Sequence, residues 1–253
     1  MNLPSDRCRG VLLGLAAGDR NGGPLCMAVR LAESLHACGR FDSADVLSRY
    51  LAWWYEGAFD TGPVSGRVLE LLAQGIEPAA AVEQVHRESD GQTAGCNPSH
   101  RSAPLAMLAQ ISDDDLGACA RDEAQLTHYD PLAGDIAATV SLICRGLIRG
   151  QSWSRAIGAY AAEFLATDPP FDRNGFSPRV LRAALYFVDR APSFREALDR
   201  SVEFAGAANY CPVLVGAIGG ARWGAGAIEP QTLIHVSLLP RVAAAAEVLA
   251  AGW

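Results

Sequence analysis

Ala, Leu and Arg recur at spacings of three and four along almost the whole chain. Gly, Pro, Ser and Asp interrupt the pattern where helix caps are expected. The spacing predicts helices over residues 6–18, 26–38, 43–56, 64–74, 78–89, 102–110, 113–125, 132–149, 152–166, 178–190, 194–205, 211–224 and 240–250. No segment alternates apolar and polar positions with β-branched residues, so the expected fold class is all-α, with sequential helices as neighbours. Neither an internal repeat nor a linker divides the pattern, and residues 1–253 read as a single domain.

Three loops stand out as rich in Gly, Pro and polar residues: Asp19–Pro24, Asp90–His100 and Thr167–Ser177. Loops of this kind carry sites more often than helix interiors do. Half of the residues are hydrophobic and 19% are charged, enough apolar surface for a large core and too little charge for disorder. All 21 basic residues are Arg, which removes Schiff-base chemistry and a phosphate-loop lysine. A net charge of −7 with scattered Arg leaves no basic stripe for nucleic acid or for an anionic membrane, so a small-molecule ligand is expected. Seven widely spaced cysteines without C-x-x-C suggest neither a zinc site nor a disulfide framework. Residues 1–9 lack a basic region followed by an apolar stretch, and no apolar run of about 18 residues is evident, so the expected location is cytoplasmic. The sequence carries no signal for an oligomeric state.

Four segments are candidates for chemistry. Asp113-Asp114-Asp115 after Ser112 reads as a helix N-terminus, because three adjacent carboxylates fan outward instead of converging on a metal. Asp60, in Phe59-Asp60-Thr61-Gly62-Pro63, is either a cap for the following helix or a ligand contact. Gly95-Cys96-Asn97-Pro98-Ser99-His100-Arg101 opens into a helix and would aim backbone N–H groups, Ser99, His100 and Arg101 at an anion. Thr127-His128-Tyr129-Asp130 offers His128 and Asp130 as an acid/base pair, with Asp130 as a simple cap the alternative. The helix through Gly216, Gly219, Gly220 and Gly224 is read as a surface for close helix packing, which must offset about 1 kcal/mol per glycine.

In this order the segments resemble the ADP-ribosylglycohydrolase family, the group that includes dinitrogenase-reductase-activating glycohydrolase. Gly10 through Asp19 resembles its opening G-x-x-x-G-x-A-x-G-D helix, and Phe59-Asp60-Thr61-Gly62 with Ser65 its D-x-G-x-x-T turn. Gly95–Arg101 with Ala103-Pro104-Leu105 is similar to its G-N-G-x-x-M-R-x-x-P-L loop, Thr127-His128 to its T-H, and Gly216–Gly224 to its glycine-rich helix. The resemblance implies a compact orthogonal multi-helix domain and cleavage, with two magnesium ions, of the glycosidic bond at the ribose of ADP-ribose conjugates. The family's metal motifs, T-D-D-T and G-D-A-D-T, fall here on Gly22-Gly23-Pro24-Leu25 and Gly206-Ala207-Ala208-Asn209-Tyr210. These side chains lack the anionic oxygens that magnesium needs, so the expectation is a divergent member with no metal and no other cofactor.

The leading expectation is a metal-independent N-glycosidase acting on an ADP-ribose-like or NAD-derived nucleotide or riboside. Asp60 is the first candidate carboxylate, Asp19 the second and His128 the proton carrier, with Asn97, Ser99, His100, Arg101, Asn209 and Tyr210 contacting substrate. The alternatives are an inactive ADP-ribose- or nucleotide-binding protein, and a lyase or isomerase working on an unrelated metabolite.

Overall fold

The computed structural model describes residues 3–165, 173–208 and 210–253. Among them the chain forms α1 (Pro4–Gly18), α2 (Gly23–Cys38), α3 (Ser43–Tyr55), α4 (Pro63–Ala73), α5 (Pro78–Glu88), α6 (Asn97–Arg101), α7 (Asp113–Gln125), α8 (Pro131–Ile148), α9 (Trp153–Gly158), α10 (Ala162–Leu165), α11 (Ser177–Arg190), α12 (Phe194–Ala205), α13 (Tyr210–Trp223) and α14 (Leu239–Ala250). Short 3-10 turns occupy Ala103–Met107, Ala225–Ala227 and Pro230–Thr232. No strand occurs among the described residues, and the expected all-α class is the one observed.

The centre is built on glycine. Helices α1 and α13 run antiparallel with Gly10 against Gly220, Gly14 against Gly216 and Gly18 against Pro212. A β-carbon on Gly10, Gly14 or Gly18 would lie 2.2, 2.1 and 2.1 Å from a backbone oxygen of α13, so only hydrogen fits at this seam. The glycine-rich helix foreseen from the sequence thus has the opening helix as its partner. Helix α8 packs beside this pair. By length and composition it could cross a membrane, which corrects the expectation of no such run, but 72% of it is buried within the fold.

The predicted helix 102–110 is a different structure: α6 followed by the 3-10 turn Ala103–Met107. Pro104 lacks the N–H that an α-helix would use. The carbonyls left over are taken by the buried Arg145 of α8, whose guanidinium donates to the backbone oxygens of Leu105, Ala106, Leu108 and Ile111 at 2.8–3.3 Å. The same side chain reaches Asp113 Oδ1 at 3.1 Å, while Ser112 Oγ caps α7 by accepting from the Asp115 N–H. The acidic triplet therefore begins a helix, as its sequence suggests. The predicted helix 152–166 resolves into α9 and α10 up to residue 165, and of the loop 167–177 only residues 173–177 are described.

Candidate functional site

The segment between α1 and α2 turns on one side chain. Asp19 Oδ1 accepts from the backbone N–H of Asn21 (3.1 Å) and Gly22 (2.8 Å), and Oδ2 from that of Leu25 (2.8 Å). These bonds satisfy donors at the start of α2 that the helix itself cannot. Asp19 is fully buried and does not line the cavity described below, so its expected catalytic part is replaced by a structural one.

Asp60 has the opposite character. Helix α4 begins at Pro63 behind Gly62 with no side-chain cap, which removes the capping reading of Asp60. Its backbone is left-handed at φ 49°, a conformation that costs a non-glycine residue energy and clusters at functional positions. Gly23 makes this placement possible: a β-carbon there would sit 2.3 Å from the Asp60 carbonyl oxygen. The Asp60 carboxylate is exposed, accepts from Asn21 Nδ2 at 3.4 Å, and has its pKa raised by partial desolvation and by the nearby Asp19 charge.

Behind Asp60, Asn97 ties the loop to α6. Its Nδ2 donates to the Thr61 carbonyl at 3.1 Å, while its Oδ1 accepts from Ser65 Oγ (3.1 Å) and Arg101 Nη1 (2.6 Å). Arg101 is fully buried: Nε donates to Glu123 Oε1 at 2.6 Å, and Nη2 to the Glu123 carbonyl (3.2 Å) and Thr127 Oγ1 (3.0 Å). Tyr50 donates to the same Glu123 oxygen at 2.8 Å. The expectation that Arg101 and Ser99 meet an anion therefore fails. The guanidinium is spent on an internal ion pair, and Ser99 Oγ donates to the Cys96 carbonyl at 2.8 Å in the interior.

These braces surround a cavity of about 220 Å³. Asp60, Asn97, His100, His128 and Tyr210 line it, together with Cys96. Its far side is closed where extended backbone at Gly95 pairs antiparallel with Phe176, the Cys96 N–H donating to the Gly175 carbonyl at 2.9 Å. The Tyr210 ring covers Gly175, where a β-carbon would meet the ring at 3.3 Å. His100 is buried beside the Tyr210 backbone, and its Nε2 is closed off from solvent with no hydrogen-bond partner among the described residues. Burial pushes its pKa down to about 4, and burial reinforced by the Arg101 charge holds His128 well below the usual imidazole value. Both rings are neutral at pH 7. Burial also pushes the Cys96 thiol up to about 12, so it contributes no thiolate.

The cavity thus unites five of the residues expected from the sequence and omits Asp19, Ser99 and Arg101. Asn209 lies outside the described residues. Asp130 caps α8 by accepting from the Leu132 N–H at 2.9 Å and is not paired with His128. Thr61 and Cys96, which also line the cavity, lie in segments the sequence marks for chemistry without being singled out there, and Gln92 lies in the Asp90–His100 loop. Glu123 was unforeseen, although it shares an apolar helical stripe with Leu116 and Ala120 that marks it as buried.

The residues present do not fit a pair of magnesium ions. Among the described residues no three His, Cys, Asp or Glu side chains come together. Position 23 has no room for a side chain beside Asp60, Asp19 has committed both oxygens to backbone N–H groups, and Pro24 and Ala207 offer no side-chain donor. Two neighbouring magnesium ions need several anionic oxygens between them, and Asp60 is the single carboxylate among the described lining residues.

Comparison with known proteins agrees with the fold. The ADP-ribosylglycohydrolase family profile matches residues 25–252. The chain is 24% identical over 209 residues to the ADP-ribosyl-[dinitrogen reductase] glycohydrolase of Rhodospirillum rubrum, covering 78% of this chain and 67% of that protein. A solved structure described as an ADP-ribosylglycohydrolase-related protein complex superposes with a TM-score of 0.79 at 26% identity, covering 99% of each chain. With a family profile matching about nine-tenths of its length, the chain belongs to the ADP-ribosylglycohydrolase family.

Proposed function

We propose that this protein is a glycohydrolase that cleaves an N-glycosidic bond at the ribose of an ADP-ribose-like or NAD-derived nucleotide or riboside, without magnesium. The observation that carries the reading is Asp60, a carboxylate held in left-handed backbone at the edge of a cavity that also receives two neutral imidazoles. Cleavage of a C1′–N bond passes through an oxocarbenium-like state, which a carboxylate on one side of the sugar stabilises or feeds with activated water. The raised pKa of Asp60 suits a base at that position. His128 faces the leaving group, and Tyr210 supplies a ring against which the substrate rests. At about 220 Å³ the cavity lies below the roughly 300–1,000 Å³ of typical ligand pockets, a size suited to the ribosyl end while the remainder stays outside.

A second reading, a protein that binds ADP-ribosyl groups without cleaving them, is favoured by one observation: Asp60 is the single carboxylate among the described lining residues, whereas glycoside hydrolysis commonly uses two. One assay separates the readings. The protein is incubated with ADP-ribosylated peptide and a panel of N-ribosides, and free base or ADP-ribose is followed by chromatography. Turnover that disappears in Asp60→Asn supports the hydrolase. Saturable binding with no product across the panel favours the silent protein and overturns the proposal.

A further inference from the structure

His128 has one nitrogen inside the protein and one at the cavity, and the inner contacts decide which carries the proton. Nδ1 lies 2.8 Å from Thr127 Oγ1. Nε2 is on the cavity side, 3.2 Å from where a β-carbon on Gly95 would stand. The Thr127 hydroxyl is buried and has a single hydrogen to give. One of its lone pairs already accepts from Arg101 Nη2 at 3.0 Å. Arg101 has no choice in this, because a guanidinium only donates and Glu123 fixes its plane. The hydroxyl hydrogen therefore goes to the remaining neighbour, Nδ1. The reverse arrangement, with Nδ1–H donating to Thr127, would strand that hydrogen without an acceptor in a buried place.

We propose that Arg101 and Thr127 are positioning residues that fix His128 in the Nε2–H tautomer, so that the imidazole meets the ligand as a hydrogen-bond donor and not as a base. The chemical consequence concerns the group it recognises. The ligand atom opposite Nε2 is an acceptor, such as a carbonyl or hydroxyl oxygen or an unprotonated ring nitrogen on the leaving base. With the ring kept neutral by burial and by the Arg101 charge, its contribution is to polarise that acceptor, leaving the abstraction of a proton from water to Asp60. Arg101, expected from the sequence to touch the ligand, acts on it through two intervening side chains. This refinement rests on the hydrolase reading for its catalytic meaning, but the tautomer itself is a property of the free protein.

The test is nitrogen-15 NMR of histidine-labelled protein, reading the protonation of each ring nitrogen, with the His128 signals assigned by their loss in His128→Gln. The wild type should show a protonated Nε2 and a bare Nδ1 across neutral pH. Thr127→Val, which keeps the shape and removes the hydroxyl, should move His128 toward a mixture of tautomers, and Thr127→Ser should restore the wild-type signature. A protonated Nδ1 in the wild type overturns the proposal, as does a tautomer unchanged in the valine variant. Should the valine variant fail to fold, the wild-type and serine spectra still decide the tautomer. Because no turnover enters the measurement, its failure is distinct from failure of the hydrolase reading.

Discussion

Replacing Gly14 by alanine tests the seam that holds the fold together. In an ordinary helix this change is stabilising by up to about 1 kcal/mol, since glycine gives up more backbone freedom. Here the new β-carbon would stand 2.1 Å from the Gly216 carbonyl oxygen, where real contacts stay above 3.0 Å. Helices α1 and α13 would have to part by about 1 Å, and a gap of that size forfeits up to about half of the dispersion attraction across it. They cannot pivot about the site, because the Gly10–Gly220 and Gly18–Pro212 contacts lie one turn away on either side. Overpacking of this kind costs about 1–3 kcal/mol, so a net loss of about 2 kcal/mol is expected. That corresponds to a fall in Tm of about 4–8 °C for a chain of this size. The assay is thermal and denaturant unfolding followed by circular dichroism, with Gly158→Ala as control, because a β-carbon at Gly158 meets nothing within 4 Å. An unchanged or raised Tm in Gly14→Ala would refute the account of the seam.

Other expectations follow from the same contacts. Gly23→Ala should push the Asp60 turn outward, since the added carbon would stand 2.3 Å from its carbonyl; ligand affinity measured by calorimetry should drop while Tm changes less than in Gly14→Ala. His100 has a folded pKa of about 4 against an ordinary 6.5, so the unfolded chain binds its proton first on acidification; stability is complete above about pH 6.5 and is lost as pH falls toward 4. The full effect is roughly 3 kcal/mol, with His128 acting in the same direction, and about 2 kcal/mol of it is lost between pH 7 and pH 5, where denaturant midpoints measure it; a midpoint independent of pH over that window contradicts the burial of these rings. Arg101→Met should destabilise by about 3–5 kcal/mol, the cost of leaving one partner of a buried ion pair alone, and urea titration would show it; a loss below about 1 kcal/mol would contradict the buried pair.

Much of this architecture is written in local patterns. The three-and-four spacing marks most helices, and Ser112, Asp130 and Asp42 cap the helices they precede. What the sequence hides are partners far apart in the chain. Nothing near residues 102–110 announces that Arg145 will collect their carbonyls, so a helix is expected where a 3-10 turn forms. Asp19 and Asp60 look alike as loop carboxylates beside glycine, yet one spends its oxygens on three backbone donors and the other faces a cavity. Arg101 follows a Gly and Pro loop that suggests anion binding, and only the position of Glu123, 22 residues on, turns it inward. Gly23 reads as a lost metal ligand in sequence; in three dimensions its bareness is what allows Asp60 to sit where it does.

The claim most open to decision is that this member of the family works without magnesium. Initial rates of ADP-ribose release from an ADP-ribosylated peptide, measured after exhaustive chelation and again with magnesium restored, address it directly. The rate should be the same in both conditions and be lost in Asp60→Asn. A rate abolished by chelation and recovered with magnesium would contradict it.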